Sequence, residues 1–146
     1  MGLDMYLNAK RYISKYSDEE LGTKLAQEFP ELAKIGKALN GVSVEAMYWR
    51  KANAIHKWFV DNVQNGVDDC GYYYVSRDHL MSLLDTVEAT LADRDSSNLP
   101  PQGGFFFGNT DINKWYWEDL KNTRDALETI LNSYTDDWNF EYHSSW

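Results

Sequence analysis

The 146-residue sequence is poor in cysteine, in long apolar runs and, in its later part, in basic residues. Because Cys70 is the single cysteine, no disulfide can form within the chain. No apolar run approaches the roughly 18 to 20 residues of a membrane span, or the apolar core of a signal peptide. We therefore expect a cytoplasmic protein that does not bind membranes and folds as a single domain over residues 1–146.

Basic residues are scarce relative to acidic ones, with 14 Lys and Arg against 23 Asp and Glu. Residues 61–146 contain 16 acidic and five basic residues, whereas residues 1–60 contain seven acidic and nine basic residues. A net charge of −9 repels the phosphate backbone, so direct nucleic-acid binding is disfavoured. The later part is either a solubilising surface or an acidic face for a basic partner, formed by Asp61, Asp68, Asp69, Asp78, Asp85, Glu88, Glu118, Asp119, Asp125 and Glu128.

The sequence also lacks the short motifs of common catalytic and metal sites. Residue types that bind metals do occur, at Asp68, Asp69, Cys70, His56, His79 and His143, but no pair has the spacing of HExxH or CxxC. The acidic residues that precede Cys70 disfavour a negatively charged thiolate there, which opposes reactivity. No Walker motif, dinucleotide fingerprint or Ser-His-Asp signature is present. We predict no cofactor, no metal and no assigned catalytic residue.

What the chain does contain is a hydrophobic content of 43% and an aromatic content of 15%, enough for a folded core. Alternating apolar residues predict strands at 1–8, 42–46, 72–75 and 138–142. Periods of three and four predict helices at 17–29, 32–39, 48–63, 76–91 and from Thr110 or Asp111 to 134, with a loop at 93–104 and an apolar run at 105–107. The expected fold is α+β, with a sheet of about four strands that includes both terminal strands and is covered by helices, largely on one face.

The predicted helix over 48–63 is the most distinctive segment of the chain. Its apolar stripe consists of Tyr48, Ala52, Ile55, Phe59 and Val63. Beside that stripe, helical spacing brings polar and aromatic groups to one side. These groups are the predicted ligand-binding residues: Trp49, Arg50, Lys51, Asn53, His56 and Lys57.

Two cations at the start of this helix are the strongest indication of a ligand. A helix N-terminus carries about half a positive charge and prefers acidic neighbours by roughly 0.3 to 1 kcal/mol, so Arg50 and Lys51 are unfavourable there. A bound phosphate or carboxylate would offset this charge and would accept hydrogen bonds from free backbone amides. The alternative is that Arg50 pairs with Glu45 or another carboxylate while Lys51 points into water.

Several stretches of the sequence resemble a group of short proteins encoded by bacteriophages and some bacteria. They are Met-Gly-Leu-Asp-Met-Tyr-Leu at 1–7, the whole segment 48–60, Gly-Phe-Phe-Phe-Gly at 104–108 and Phe-Glu-Tyr-His-Ser-Ser-Trp at 140–146. The resemblance runs over nearly the whole chain. It implies an accessory phage or bacterial protein of the cytoplasm, and it brings no catalytic residues with it.

Three hypotheses for function follow. The first is an accessory protein that binds or sequesters a small anionic ligand, such as a nucleotide, at the cationic helix N-terminus. The alternative is an acidic interaction protein that inhibits a host protein by imitating nucleic-acid charge. The third is an enzyme that uses His56 as acid or base. The sequence does not determine the oligomeric state, and a homo-oligomer is compatible with either of the first two roles.

The enzyme hypothesis needs a carboxylate to orient the His56 imidazole. Helical residues rise by about 1.5 Å each, so a helix continuing well past His56 would put the 68–69 turn more than 10 Å away. Asp68 or Asp69 would orient the ring only if the turn folds back towards the helix. A carboxylate on a terminal strand, such as Asp4 or Glu141, is therefore the more reachable partner. The ligand would be anchored by Arg50 and Lys57.

Overall fold

The computed structural model describes residues 2–14, 19–31, 40–103 and 112–146, and it shows a four-stranded antiparallel sheet. The strands are β1 (Asp4–Tyr12), β2 (Gly41–Arg50), β3 (Tyr72–Val75) and β4 (Trp138–Ser145), in the order β2-β1-β4-β3. The first and last strands are the central pair, with Asp4 opposite Ser145 and Arg11 opposite Trp138. The predicted α+β class and the predicted sheet containing both terminal strands are confirmed.

Four longer helices complete the described part of the chain. They are α1 (Glu19–Glu28), α2 (Asn53–Asn62), α3 (Arg77–Asp93) and α4 (Lys114–Ser133), with a short 3-10 turn at Ser96–Asn98. Ser76 caps α3, since its hydroxyl oxygen accepts from the His79 amide at 3.0 Å. Asn113 caps α4 by accepting from the amides of Trp115 and Tyr116. None of the helices in these ranges combines the length and apolar character needed to cross a bilayer.

One face of the sheet forms the core together with α2, α3 and α4. Alternate strand residues point into it and are fully or almost fully buried, namely Leu3, Met5, Leu7, Ala9, Phe140 and Tyr142. The Tyr142 ring stacks on Phe59 of α2, with centroids 3.9 Å apart and planes 7° apart. Leu83 of α3 and Leu127 of α4 close the same cluster. Burial of this apolar surface is the main stabilising contribution, at about 25 cal/mol per Å².

The opposite face of the sheet carries a row of rings across all four strands. Tyr48, Tyr6, His143 and Tyr72 stand side by side, with successive centroids 5.4, 5.9 and 4.1 Å apart. Cross-strand register produces this row, because Tyr6 lies opposite both Tyr48 and His143. The hydroxyl of Tyr48 also donates to Asp4, which raises the tyrosine pKa. Tyr48 and Tyr72 remain exposed.

The predicted helix over 48–63 begins later than its periodicity indicates. Residues 48–50 belong to strand β2, where Trp49 lies opposite Met5. The Lys51 amide then donates to the Leu3 carbonyl at 2.8 Å, and Lys51 adopts a positive φ of 56° before Asn53 opens α2. The helix prediction was wrong for residues 48–52 because cross-strand hydrogen bonds and the burial of Trp49 outweigh the local pattern.

Other boundaries differ by a few residues. Strand β1 extends to Tyr12 instead of ending at residue 8, because β2 and β4 both pair with its later half. Helix α4 begins at Lys114. The start predicted at Thr110 or Asp111, the helix predicted at 32–39 and the apolar run at 105–107 lie outside the described residues.

Candidate functional site

A cavity of about 320 Å³ opens at the start of α2. This volume lies near the lower end of the usual range for small-molecule sites, about 300 to 1,000 Å³. One wall comes from the β2–α2 junction and the other from the segment before α4 and its first turns. The lining residues are Arg50, Lys51, Ala52, Asn53, Ala54, Ile55, Pro101, Gln102, Asn113, Trp115, Tyr116, Asp119 and Leu120.

Two residues with cationic side chains, Arg50 and Lys51, contribute to the lining of this cavity. Arg50 is the last residue of β2, and Lys51 follows in the left-handed conformation. The stem of Lys51 passes close to the chain start, since a Cβ on Gly2 would come within 3.0 Å of Lys51 Cε. Within the described ranges neither side chain forms an ion pair, and Glu45 lies opposite Asn8 of β1. The proposed pairing of Arg50 with Glu45 is thus absent from the described part of the chain.

The start of α2 is not neutralised by its own residues. Its N-cap is Ala52, which has no side-chain acceptor, and the first turn contains no acidic residue. The amides of Asn53 and His56 donate to the carbonyls of Lys51 and Ala52. For the amides of Ala54 and Ile55 no backbone acceptor is found among residues 2–14, 19–31, 40–103 and 112–146. The positive end of the helix dipole therefore lies at the cavity wall.

The facing wall combines amide, aromatic and carboxyl side chains. Gln102 is held in place because its carbonyl accepts from Asn53 Nδ2 at 2.9 Å. The Tyr116 hydroxyl donates to the Leu99 carbonyl at 2.6 Å, and burial, with a smaller effect of Asp95, raises its pKa to about 12. Tyr116 therefore contributes a neutral ring to the wall at physiological pH.

Asp119 is the acidic group of the cavity. Burial raises the pKa of its carboxyl from 3.8 to about 6, and the neighbouring Glu118 carboxylate adds to the shift. Within the described ranges its carboxyl forms no ion pair, so Arg50 and Lys51 stay more than 4.0 Å from it. A half-buried carboxyl that titrates near neutral pH is a common feature of functional sites.

The six predicted ligand-binding residues divide into two groups. Arg50, Lys51 and Asn53 line the cavity. Trp49 lies in the core instead, where its Nε1–H donates to Thr123 Oγ1 at 2.8 Å. Lys57 is exposed and forms an ion pair with Asp61 at 2.6 Å, one helical turn away. The structure does not bring Trp49 or Lys57 to the cavity, because Trp49 points from β2 into the core and Lys57 lies on the exposed face of α2.

His56 also lies away from the cavity and is only 5% exposed. Its Nδ1 is 2.6 Å from the Tyr142 hydroxyl, and its Nε2 is 2.9 Å from Asp68 Oδ1. The arrangement is satisfied when the hydroxyl donates to Nδ1 and Nε2–H donates to the carboxylate. Burial, with a smaller effect of Asp68, raises the pKa of Tyr142, which keeps this hydroxyl a donor. Both ring nitrogens are therefore occupied by the protein itself.

The preference for Asp4 or Glu141 as the partner of His56 was wrong, and Asp68, the alternative that required the turn to fold back, is the partner. Helix α2 ends at Asn62, within one residue of the predicted end, but the chain then reverses through Asn65 and Gly66, both with positive φ. The reversal returns Asp68 to the level of His56. Residues with φ above zero permit such tight reversals, and Asn-Gly is a frequent combination for them.

No local sequence pattern indicated the α4 side of the cavity. Asp119 was assigned to an acidic surface, and Trp115, which is 63% exposed, was not among the predicted ligand-binding residues. A usable signal was the cap residue Asn113 followed by adjacent aromatic residues, which fixes where α4 starts. The long segment before α4 was a second signal, because loops of that length are often functional.

Metal chemistry finds no support in the described residues. No group of three or more His, Cys, Asp or Glu side chains is placed to hold an ion within the described ranges. Cys70 is an exposed free thiol. Comparison with protein-family models, with curated proteins and with solved structures finds no match.

Proposed function

We propose that this protein binds a small anionic ligand, such as a nucleotide or another phosphorylated metabolite, in the cavity at the start of α2. The observation that carries the proposal is the convergence of Arg50, Lys51 and an uncapped helix N-terminus on one cavity wall. All three favour negative charge. The resemblance to short bacteriophage proteins supports an accessory role, in which the protein sequesters such a ligand in the cell.

The conformation of Lys51 supports the same proposal. The left-handed conformation of Lys51 costs a residue with a side chain about 1 to 2 kcal/mol, whereas glycine adopts it without that cost. Strained positions of this kind are frequent at ligand-binding sites. Lys51 is one of the lining residues, so an anion bound in the cavity would lie within reach of its ammonium group.

The proposal is tested by calorimetric titration of the purified protein with inorganic phosphate and with a set of nucleotides. We expect at least one of them to bind, and Arg50→Ala to weaken that binding about tenfold or more, because a hydrogen bond to a charged group contributes about 1.5 to 3 kcal/mol. Absence of binding by every member of the set, or equal affinity in Arg50→Ala, would overturn the proposal.

Lys57→Ala is the matched control for this experiment. It removes a positive charge from α2 that lies outside the cavity and is paired with Asp61. Because exposed charges are screened by salt, the control should change ligand affinity less than twofold at about 0.15 M salt. A loss as large as that of Arg50→Ala would mean that total charge, not the cavity, attracts the ligand.

A second candidate function uses the carboxylates on α3 and α4 as a face for a basic host protein. The specific observation is that Glu88 of α3 lies next to Glu128 of α4, so burial and the Glu128 side chain raise the Glu88 pKa. Asp85 and Asp125 flank this pair. The face is smaller than the ten predicted residues, because Asp61, Asp68, Asp69 and Asp119 lie at other places in the structure.

This second candidate is tested by capture from a bacterial lysate at about 0.05 M and 0.5 M salt. Contacts between surface charges weaken as salt screens them, so a specific partner should be released at the higher concentration. Glu88→Gln combined with Glu128→Gln should reduce capture of that partner. Capture that persists in high salt and in this double variant would exclude the charged face.

A further inference from the structure

The cavity holds charges of both signs that do not neutralise each other. Arg50 and Lys51 stand at the α2 side, and Asp119 stands on α4. An ion pair within 4.0 Å between them would cancel both charges, but none forms in the described part of the chain. The cavity lining therefore contains residues of both signs, and in the described part of the chain none of the three side chains has an ion-pair partner.

We propose that Asp119 makes this site bipartite, so that the bound molecule carries an anionic group at the α2 side and a protonated amine or another N–H donor at the α4 side. The inference rests on the proposed function, because it concerns the same cavity. It narrows the ligand from any small anion to a zwitterion or a donor-bearing anion. Asp119 becomes the residue that selects this class.

The desolvation of Asp119 gives the physical reason. A carboxylate removed from water loses hydration, and the loss is recovered only when a hydrogen-bond donor or a cation replaces the water. The described residues supply no such donor to Asp119. A simple anion would instead meet repulsion from Asp119 in the same cavity. A ligand with an amine satisfies both walls, and the rings of Trp115 and Tyr116 can contact the apolar part between its two charged ends.

The ionisation of Asp119 sets the pH range in which this selection operates. The charged and titratable groups around it are Glu118 on the same helix, Tyr116 one turn earlier, and Arg50 and Lys51 across the cavity. With a pKa of about 6, the Asp119 carboxyl is mostly ionised at pH 7.5 and mostly protonated at pH 5. Preference for the amine should therefore be present at the higher pH and lost at the lower pH.

The test is a calorimetric comparison of two probe series at about pH 7.5. One series is alkyl phosphates with chains of about two to six carbons, and the other is the ω-aminoalkyl phosphates of the same lengths. We expect the amino compound to bind about tenfold tighter than its alkyl counterpart for at least one length, since a charged hydrogen bond contributes about that factor or more. Asp119→Asn should remove this preference while leaving alkyl phosphate binding intact or stronger.

Two further arms keep the test decisive. Wild-type protein at about pH 5 should lose the preference without any substitution, so an unfolded Asp119→Asn variant would not prevent an answer. Glu118→Gln is the control, because it removes the neighbouring charge and leaves Asp119 in place. The preference for the amino compound should persist at pH 7.5. The pH at which half of that preference is lost should fall, because the Glu118 carboxylate contributes to the raised Asp119 pKa.

The outcomes separate the two proposals. If neither series nor inorganic phosphate binds, the proposed function itself is wrong. If alkyl phosphates bind and the amine adds nothing at any length or pH, the anion site stands and the bipartite site is wrong. A preference that survives both Asp119→Asn and pH 5 would also overturn the role of Asp119.

Discussion

The polar groups at the start of α2 and those one turn further along differ in whether they have partners within the protein. At its start, Arg50 and Lys51 border a cavity without an ion pair in the described part of the chain, and the helix lacks a side-chain cap. One turn later, the buried His56 imidazole has a partner on each ring nitrogen. A histidine satisfied on both sides stabilises the fold, whereas Arg50 and Lys51 at the helix start have no ion-pair partner in the described part of the chain. Under the proposed function, the first region contributes stability and the second contributes binding.

The largest effect should come from breaking the satisfied region. His56→Ala removes one buried and one part-buried hydrogen bond and leaves the Tyr142 hydroxyl without its acceptor, so we expect the free energy of unfolding to fall by about 3 kcal/mol. Tyr142→Phe, which deletes only the hydroxyl, should cost about 1 kcal/mol. Urea denaturation followed by tryptophan fluorescence measures both.

Ligand affinity decides whether His56 is structural only. Affinity of folded His56→Ala for phosphate or nucleotide should stay within about twofold of wild type, because His56 does not line the cavity. If the variant is as stable as wild type but no longer binds, the division between the two regions is wrong.

A smaller effect of opposite sign is expected at Lys51. Lys51→Gly relieves the left-handed strain, while the greater freedom of glycine in the unfolded chain offsets part of the gain. We expect the free energy of unfolding to rise by about 0.5 to 1 kcal/mol and phosphate affinity to fall. Thermal denaturation and titration of the same sample measure both quantities. A variant that loses stability and keeps its affinity would contradict a binding role for Lys51.

The pH dependence of stability is the next prediction, and it concerns Asp119. Its folded-state pKa of about 6 lies above the ordinary value of 3.8, so between these values the folded chain retains a proton that the unfolded chain has released. The free energy of unfolding therefore falls as the pH rises through this window. At pH 7.5, Asp119→Asn should be more stable than wild type by up to about 1 kcal/mol after allowance for solvent screening.

The difference between the two proteins should nearly vanish below about pH 4, where Asp119 is protonated in both folded and unfolded wild type. Urea denaturation at a series of pH values gives the two curves. Parallel curves over the whole range would mean that the Asp119 carboxyl is not desolvated in the folded chain.

The smallest effect is expected for Lys57→Ala. Its ion pair with Asp61 is half exposed and spans one helical turn, a contact that contributes about 0.3 to 0.5 kcal/mol. The free energy of unfolding should fall by no more than that, and the loss should shrink at about 1 M salt. A change above 1 kcal/mol would place Lys57 among the structural groups beside His56.

Much of the fold was predictable because local pattern and tertiary position agree. The strand at Tyr72–Val75, the cap at Ser76 and the last strand from Trp138 all follow from alternation or capping chemistry. The β2–α2 junction was not predictable by the same means. Tyr48 fits both a helical stripe and a strand, and only pairing with Tyr6 of β1 decides between them. Pairing across more than 40 residues leaves no trace in local periodicity.

The site was only partly predictable for a related reason. Arg50, Lys51 and Asn53 adjoin one another in sequence, so the α2 side of the cavity was found from a local argument about helix charge. Asp119 reaches the cavity through the placement of α4 on the sheet, which no short segment encodes. Asp68 reaches His56 through a chain reversal whose length depended on where α2 stops.

The central pairing of β1 with β4 has a consequence for synthesis on the ribosome. The hydrogen bond between His56 and Tyr142 cannot form until Tyr142, 86 residues later, has been synthesised. The sheet is also incomplete until then, because β4 lies between β1 and β3. Contacts so distant in sequence slow folding, because a long loop must close before they form. We therefore expect the nascent chain to expose the apolar face of β1 until β4 has left the exit tunnel, and to rely on chaperones during that interval.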